Sequence, residues 1–229
     1  MKILFLIFLC LSSSWAALDR TIQVQGNCDV KVEPDRGIIS FTAENQSQEQ
    51  QQAVSKTNEQ INKLKEKIKA LKLAELELKN TGYNVYPVRD YENNRYVDKG
   101  TRAALTLEVT TSEISRLGEV MVEASKIGIQ HVGALTTFLS LEKSKQEYLK
   151  CLEVAALDAE NKAQRLAKKL GFKLGDVMVI NETPGTTIPS PVPYPGGMLK
   201  TATMDMATTN IEAGKQQFST TLQVTFGIK

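Results

Sequence analysis

Alternation at a period of two is the feature that most restricts how this chain can fold. In residues 101–111, Ala103, Leu105, Leu107 and Val109 fall on one side, and Arg102, Thr106, Glu108 and Thr110 on the other. A strand with one packed face and one wet face satisfies that pattern. The alternation returns in 216–228, where Phe218, Thr220, Leu222, Val224, Phe226 and Ile228 are separated by mostly polar residues. It also returns in 20–33, where Ile22, Val24, Gly26, Cys28, Val30 and Val32 share a face. Residues 37–46 predict a further strand, set off by Glu33-Pro34-Asp35-Arg36-Gly37, in which Pro and Gly punctuate a tight turn. Residues 76–91 read as extended, with Thr81-Gly82 as a break and Pro87 marking an edge or a bulge. A polar hairpin loop is expected over 90–100, and 131–141 is strand-like. Residues 174–182 are apolar on both faces, Leu174, Met178 and Ile180 on one and Val177 and Val179 on the other, as a central strand would be.

Between these strands the period changes to that of a helix. Residues 48–72 place Val54, Ile61, Leu64, Ile68 and Leu71 on one stripe, with Gln and Lys elsewhere. The basic run Lys63, Lys65, Lys67, Lys69, Lys72 reads as a solvated face diluted by Glu59 and Glu66. Thr110 and Glu113 have capping-box spacing ahead of a shorter helix with the stripe Ile114, Leu117, Met121, Ala124, closed by Gly128. A long helix over 143–170 has the stripe Leu149, Leu152, Ala156, Ala159, Ala163, Leu166, Leu170 and stops at Gly171. The order of elements predicts an α+β fold: a mostly antiparallel sheet with two long amphipathic helices and one shorter one packed on it.

The first residues read as an export signal. Lys2 is followed by nine consecutive apolar residues, 3–11, too few for a membrane-spanning helix, which needs about 20. Ser14-Trp15-Ala16 places small residues where a signal peptidase inspects the chain, so cleavage is expected after Ala16. Cys10 lies inside the apolar run behind bulky Phe8 and Leu9, which argues against a lipoprotein. The expected product is residues 17–229, one domain or two subdomains at about 17–111 and 112–229, soluble, periplasmic and without a transmembrane anchor. Removing 1–16 leaves Cys28 and Cys151. In an oxidising compartment they can form a disulfide, remain as two buried thiols, or present one reactive thiol. Cys28 belongs to the apolar face of its strand, and Cys151 falls just off the helix stripe.

Segment 183–214 holds Pro184, Pro189, Pro191, Pro193 and Pro195 together with Met198, Met204 and Met206. So long an irregular stretch is either functional or disordered, and a flexible arm or an oligomer contact is the expectation. The formal net charge of +2 gives no reason to expect nucleic acid as a partner. Familiar catalytic and phosphate-binding motifs (HExxH, CxxC, GxSxG, a glycine-rich loop) do not occur, and His131 is the single histidine. No catalytic residue, metal site or cofactor is expected. Tyr83, Tyr86, Tyr91 and Tyr96 with Arg89, Arg95 and Arg102 gather around residues 83–102, the one aromatic and basic patch. Tyr83, Tyr86, Tyr91 and Arg102 are the candidate partner-binding residues.

Several stretches resemble the SIMPL-domain family. IQVQGNCDVKVEPDRGIISF is similar to its opening strand and turn, through Val24, Gly26, Pro34 and Asp35. LKNTGYNVYPVRDY resembles a threonine-anchored strand, through Thr81, Tyr83, Pro87 and Tyr91. GTRAALTLEV resembles the family's GYRA strand, with Thr101 in place of the usual aromatic, and the run from Ala155 to Gly175 resembles the helix and strand that follow. IEAGKQQFSTTLQVTF resembles the closing strand. The resemblance implies an α+β fold, export to the periplasm and assembly into large homo-oligomers. It also implies kinship with periplasmic immunogenic proteins and with members tied to oxidative-stress defence, with no established catalytic residues. The function expected is an exported, non-enzymatic, self-assembling protein linked to envelope or oxidative stress. The alternative is a module that captures an envelope protein through 183–214 or the 83–102 hairpin.

Overall fold

A computed structural model describes residues 20–129, 131–182, 192–193 and 214–229. The expected signal at 1–16 with its Ala16 junction, and nearly all of segment 183–214, fall outside that range. The fold is α+β, and every described strand pairing is antiparallel. The strands divide between two sheets. In the first sheet, β3 (Glu77–Glu92), β4 (Arg95–Thr111) and β2 (Arg36–Ser47) lie side by side. Short β5 (His131–Val132) and β6 (Thr136–Phe138) also pair with β2, and β8 (Val192–Pro193) pairs with β6. The second sheet has the order β1-β9-β7, from β1 (Thr21–Val32), β9 (Gln216–Ile228) and β7 (Leu174–Glu182). The two ends of the described chain therefore lie side by side, paired from Thr21 with Gly227 to Val32 with Gln216.

Each sheet has its own helices and its own core. Over the first sheet lie α1 (Gln50–Ala70) and α2 (Leu117–Ile127), the latter preceded by a 3-10 turn at Ile114–Arg116. Ile61, Leu64 and Ile68 of α1 pack with Phe41, Leu107, Val109, Leu117 and Val120. The second sheet carries α3 (Leu141–Leu170), whose Cys151, Ala155, Ala159 and Ala163 pack with Val24, Cys28, Phe218, Leu222 and Phe226. Among the described residues, no buried residue belongs to both clusters.

Two family-like motifs acquire physical reasons here. Gly26 sits beneath α3; a Cβ there would overlap the Ala155 carbonyl and lie 2.8 Å from the Ala159 Cβ. Glycine and the alanine seam thus allow helix and strand backbones to approach closely. In the Pro34-Asp35 turn, the Asp35 carboxylate accepts from the Ser140 amide (2.7 Å) and hydroxyl (2.6 Å). Ser140 is the N-cap of α3, its Oγ accepting from the Lys143 amide at 3.1 Å. The turn after β1 therefore holds the start of the helix that covers β1.

Several expectations are corrected. The stripe of α3 is rotated: Ala155, Ala159, Ala163 and Ala167 are buried, whereas Leu149, Leu166 and Leu170 are exposed. The close approach at Gly26 leaves no room for leucines, so small residues form the seam. Cys151 consequently lies inside the buried stripe. It is joined to Cys28 by a disulfide, with the two Cα atoms 5.4 Å apart. This excludes the free-thiol alternatives. β7 is an edge strand, not a central one. The hairpin loop at 90–100 shrinks to Asn93-Asn94, whose φ values of 50° and 62° are those of a tight turn matched to strand twist. The capping box does not form. Thr110 stays in β4, and Thr111 accepts from the Glu113 amide (3.1 Å) while donating to the Ala74 carbonyl (2.6 Å).

Candidate functional site

Two surfaces stand out: the tyrosine-bearing β3–β4 hairpin and the outer edge of the β1-β9-β7 sheet. In the hairpin, Tyr83, Tyr86, Tyr91 and Tyr96 are exposed by 42–76%. Register divides them. Tyr83 lies opposite Leu105 on the face turned to the first core, and Tyr86 lies opposite Arg102 on the other face. A register shift separates Pro87 from Arg89, and beyond it Tyr91 faces Tyr96. Their rings meet edge to face with centroids 5.2 Å apart, and the Tyr91 hydroxyl donates to Asn94 Oδ1 at 2.7 Å. Arg102 is engaged by Glu44 (3.4 Å) and by Gln46, which accepts its Nη2 at 3.0 Å. The structure thus brings Tyr86 to Arg102 and Tyr91 to Tyr96. It does not converge Tyr83, Tyr86, Tyr91 and Arg102 on one pocket. Near the tip, the hydrogen bond and charge of Glu92 hold the Lys99 ammonium above its ordinary pKa.

The second sheet has two edges of different character. Strand edges expose unpaired backbone groups and invite another strand to add. On β1 this edge is plugged by α3. The Asn27 amide donates to Asp158 Oδ2 (2.9 Å), and Lys162 Nζ donates to the Gln25 carbonyl (2.9 Å) and to the same Asp158 oxygen (2.6 Å). The Lys162 hydrogen bond, aided by the Asn27 amide, keeps the Asp158 carboxyl below its usual range, so the plug stays charged at neutral pH. The plug also repeats at helical spacing, since positions 158 and 162 are one turn apart.

On β7 no strand pairs with the outer edge among the described residues. Val177, Met178, Val179 and Ile180 are 46–60% exposed. The register pairs Val177 with Phe226 and Ile180 with Val224, which puts both on the helix side of the sheet. They remain exposed because α3 lies mainly over β1 and β9 and barely reaches β7. At the ends of the strand, Tyr148 of α3 donates to Glu182 Oε1 (2.7 Å), and Lys229 pairs with Asp176 (3.2 Å). The sequence does not advertise this surface: a run apolar on both sides has the pattern of a buried strand, and nothing local reveals that it stands at the edge of its sheet.

Among the described residues, no group of three or more His, Cys, Asp or Glu is placed to hold a metal ion. No described helix is long and apolar enough to cross a membrane.

Comparison with known proteins gives a consistent picture. The model of the SIMPL family, described as "Protein of unknown function (DUF541)", matches residues 22–226. The 26 kDa periplasmic immunogenic protein of Brucella melitensis is 25% identical over 215 residues, covering 91% of this chain and 84% of that protein. Its counterpart in Brucella abortus is 24% identical over the same coverage. The Escherichia coli K12 protein named "Uncharacterized protein YggE" is 22% identical over 171 residues, 75% of this chain and 69% of that one. With the family model spanning both cores, from β1 to β9, the chain belongs to the SIMPL family.

Proposed function

We propose that the protein is exported to the periplasm, performs no catalysis, and assembles with copies of itself in the service of envelope or oxidative-stress defence. The Brucella relatives are periplasmic proteins by name, which supports the compartment. The observation that carries the assembly reading is the contrast between edges: β1 is plugged by Asp158 and Lys162, while β7 offers four consecutive exposed apolar residues. Blocking one edge disfavours open-ended stacking of sheets and leaves β7, unpaired on its outer side among the described residues, as the edge to which a second chain would add. Light scattering on the purified protein tests this. A defined oligomer is expected, which Ile180→Lys dissociates with little change in melting temperature. A protein monomeric at every concentration overturns the reading.

The hairpin supports a second reading, capture of an envelope protein. Four exposed tyrosines suit a contact surface, because aromatic side chains are enriched in interfaces. Crosslinking in intact cells separates the two: copies of the same chain support assembly, and a different protein crosslinked through 83–102 supports capture.

A further inference from the structure

We propose that the Cys28–Cys151 disulfide makes the second core conditional on an oxidising compartment: with both thiols reduced, α3 and the β1-β9-β7 sheet open as a unit while the first core stays closed. This goes beyond the assembly reading and does not depend on it.

Five observations carry it. The bond joins the first strand of the second core to its helix, and both cysteines belong to that cluster, 3% and 1% exposed. The helix seam it fastens is made of Ala155, Ala159, Ala163 and Ala167, which bury little apolar surface each. The two cysteines are 123 positions apart, and the whole first core, from Ile39 to Leu135, lies within the loop they close. Among the described residues the first core shares no buried residue with the second, so it retains its own packing when the bond is absent. Opposite Cys28 in the register, the Thr220 hydroxyl is buried with no hydrogen-bond partner among the described residues, a weak point within the cluster that the covalent link holds shut.

The chemistry is thiol–disulfide exchange with an oxidised disulfide, such as glutathione disulfide or the active-site disulfide of an exported oxidoreductase. One cysteine attacks as thiolate and forms a mixed disulfide, releasing one oxidant thiolate. The second cysteine, also deprotonated, attacks the mixed disulfide and releases the other. Two protein thiols lose two protons and two electrons, and the oxidant disulfide becomes two thiols. Because both sulfurs are enclosed in the finished core, exchange precedes closure of the α3 seam. A reductant reaches them only when the second core opens.

Hydrogen exchange on the whole purified protein tests the proposal, comparing protein refolded with glutathione disulfide, protein refolded in a phosphine reductant, and the double variant Cys28→Ala/Cys151→Ala without reductant. In the reduced protein and in the double variant, amides of 141–170 and 216–228 should lose protection by about tenfold or more while those of 36–47 and 95–111 keep theirs. Equal protection in oxidised and reduced protein overturns it. So does a loss spread evenly over both cores, or a double variant protected like the oxidised protein.

Discussion

The two cores lay helices on an antiparallel sheet by different means. In the first, α1 inserts Ile61, Leu64 and Ile68 between Phe41, Leu107 and Val109, and α2 adds Leu117 and Val120. Each fully buried side chain of that kind contributes about 1.5–3 kcal/mol. In the second, α3 offers methyl groups to Gly26 and Phe218, each worth about 0.8 kcal/mol. What the alanine seam lacks in buried area is offset by a covalent link. Closing a loop this long restricts the unfolded chain enough to stabilise by about 3–5 kcal/mol. Large interlocking side chains make a core that depends on shape. Small ones make a core that depends on close backbone approach and on its staple.

That contrast can be broken first at Phe41. It is fully buried on β2, and Phe41→Ala should destabilise by about 3–5 kcal/mol. Denaturant unfolding gives the magnitude, and exchange should place the lost protection in the first core. Protection lost chiefly in α3 would mean that the cores are not separate. Next comes Gly26. Its missing Cβ faces the Ala155 carbonyl, a backbone atom that cannot swing aside, so Gly26→Val should cost about 1–3 kcal/mol and loosen α3 specifically. An unchanged denaturation midpoint would show that the seam is not tight.

The smallest effect sharpens the link between the cores. Ser140→Ala removes the cap of α3 and one partner of Asp35, and a loss of about 1 kcal/mol is expected in denaturant unfolding. Partial burial acts most strongly on Asp35 and raises its pKa. The Ser140 hydroxyl and amide, with Lys143 nearby, outweigh it, so the carboxyl sits below its ordinary 3.8. A depressed folded-state pKa stabilises above the unfolded value, and that contribution disappears as pH falls through the folded one. The stability difference between the native protein and Asp35→Asn should therefore be full at neutral pH and shrink as pH drops below 3.8. A difference that grows on acidification would reverse the sign of this contact.

Legibility in the sequence followed the range of each signal. Alternation places β1, β9 and the C-terminal end of β4 within a residue or two, because one buried and one wet face are enough to write it, and the Pro34–Gly37 turn does the same for β2. The α1 stripe at Ile61, Leu64 and Ile68 was visible for the same reason. Its upper end was not, since Thr57 is buried as a polar residue with its hydroxyl within reach of the Ala53 and Ala103 carbonyls, at 2.9 and 3.1 Å. Leucine outweighs alanine in any periodicity, so a stripe through Leu149, Leu152, Ala156, Ala159, Ala163, Leu166 and Leu170 captures the buried Ala159 and Ala163 but adds Leu149, Leu166 and Leu170, which lie on the exposed side. Asn93-Asn94 lacks the glycine that usually advertises a hairpin turn, so the expected start of β4 at 101 falls six residues after its start at Arg95, whereas the expected end of β3 at 91 lies within one residue of Glu92.

By itself, then, the sequence determined the α+β class, the order of elements and the apolar face of each regular strand, since these depend on neighbours a few residues apart. It also carried the resemblance to the SIMPL family in the spacing of Val24, Gly26, Pro34 and Asp35. Only the tertiary structure decided that the strands form two sheets, that Cys28 meets Cys151, that β1 is a plugged edge and that β7, among the described residues, has no strand on its outer edge. Those outcomes are set by which distant segments lie side by side, and edges, staples and plugs have no local period from which to be read.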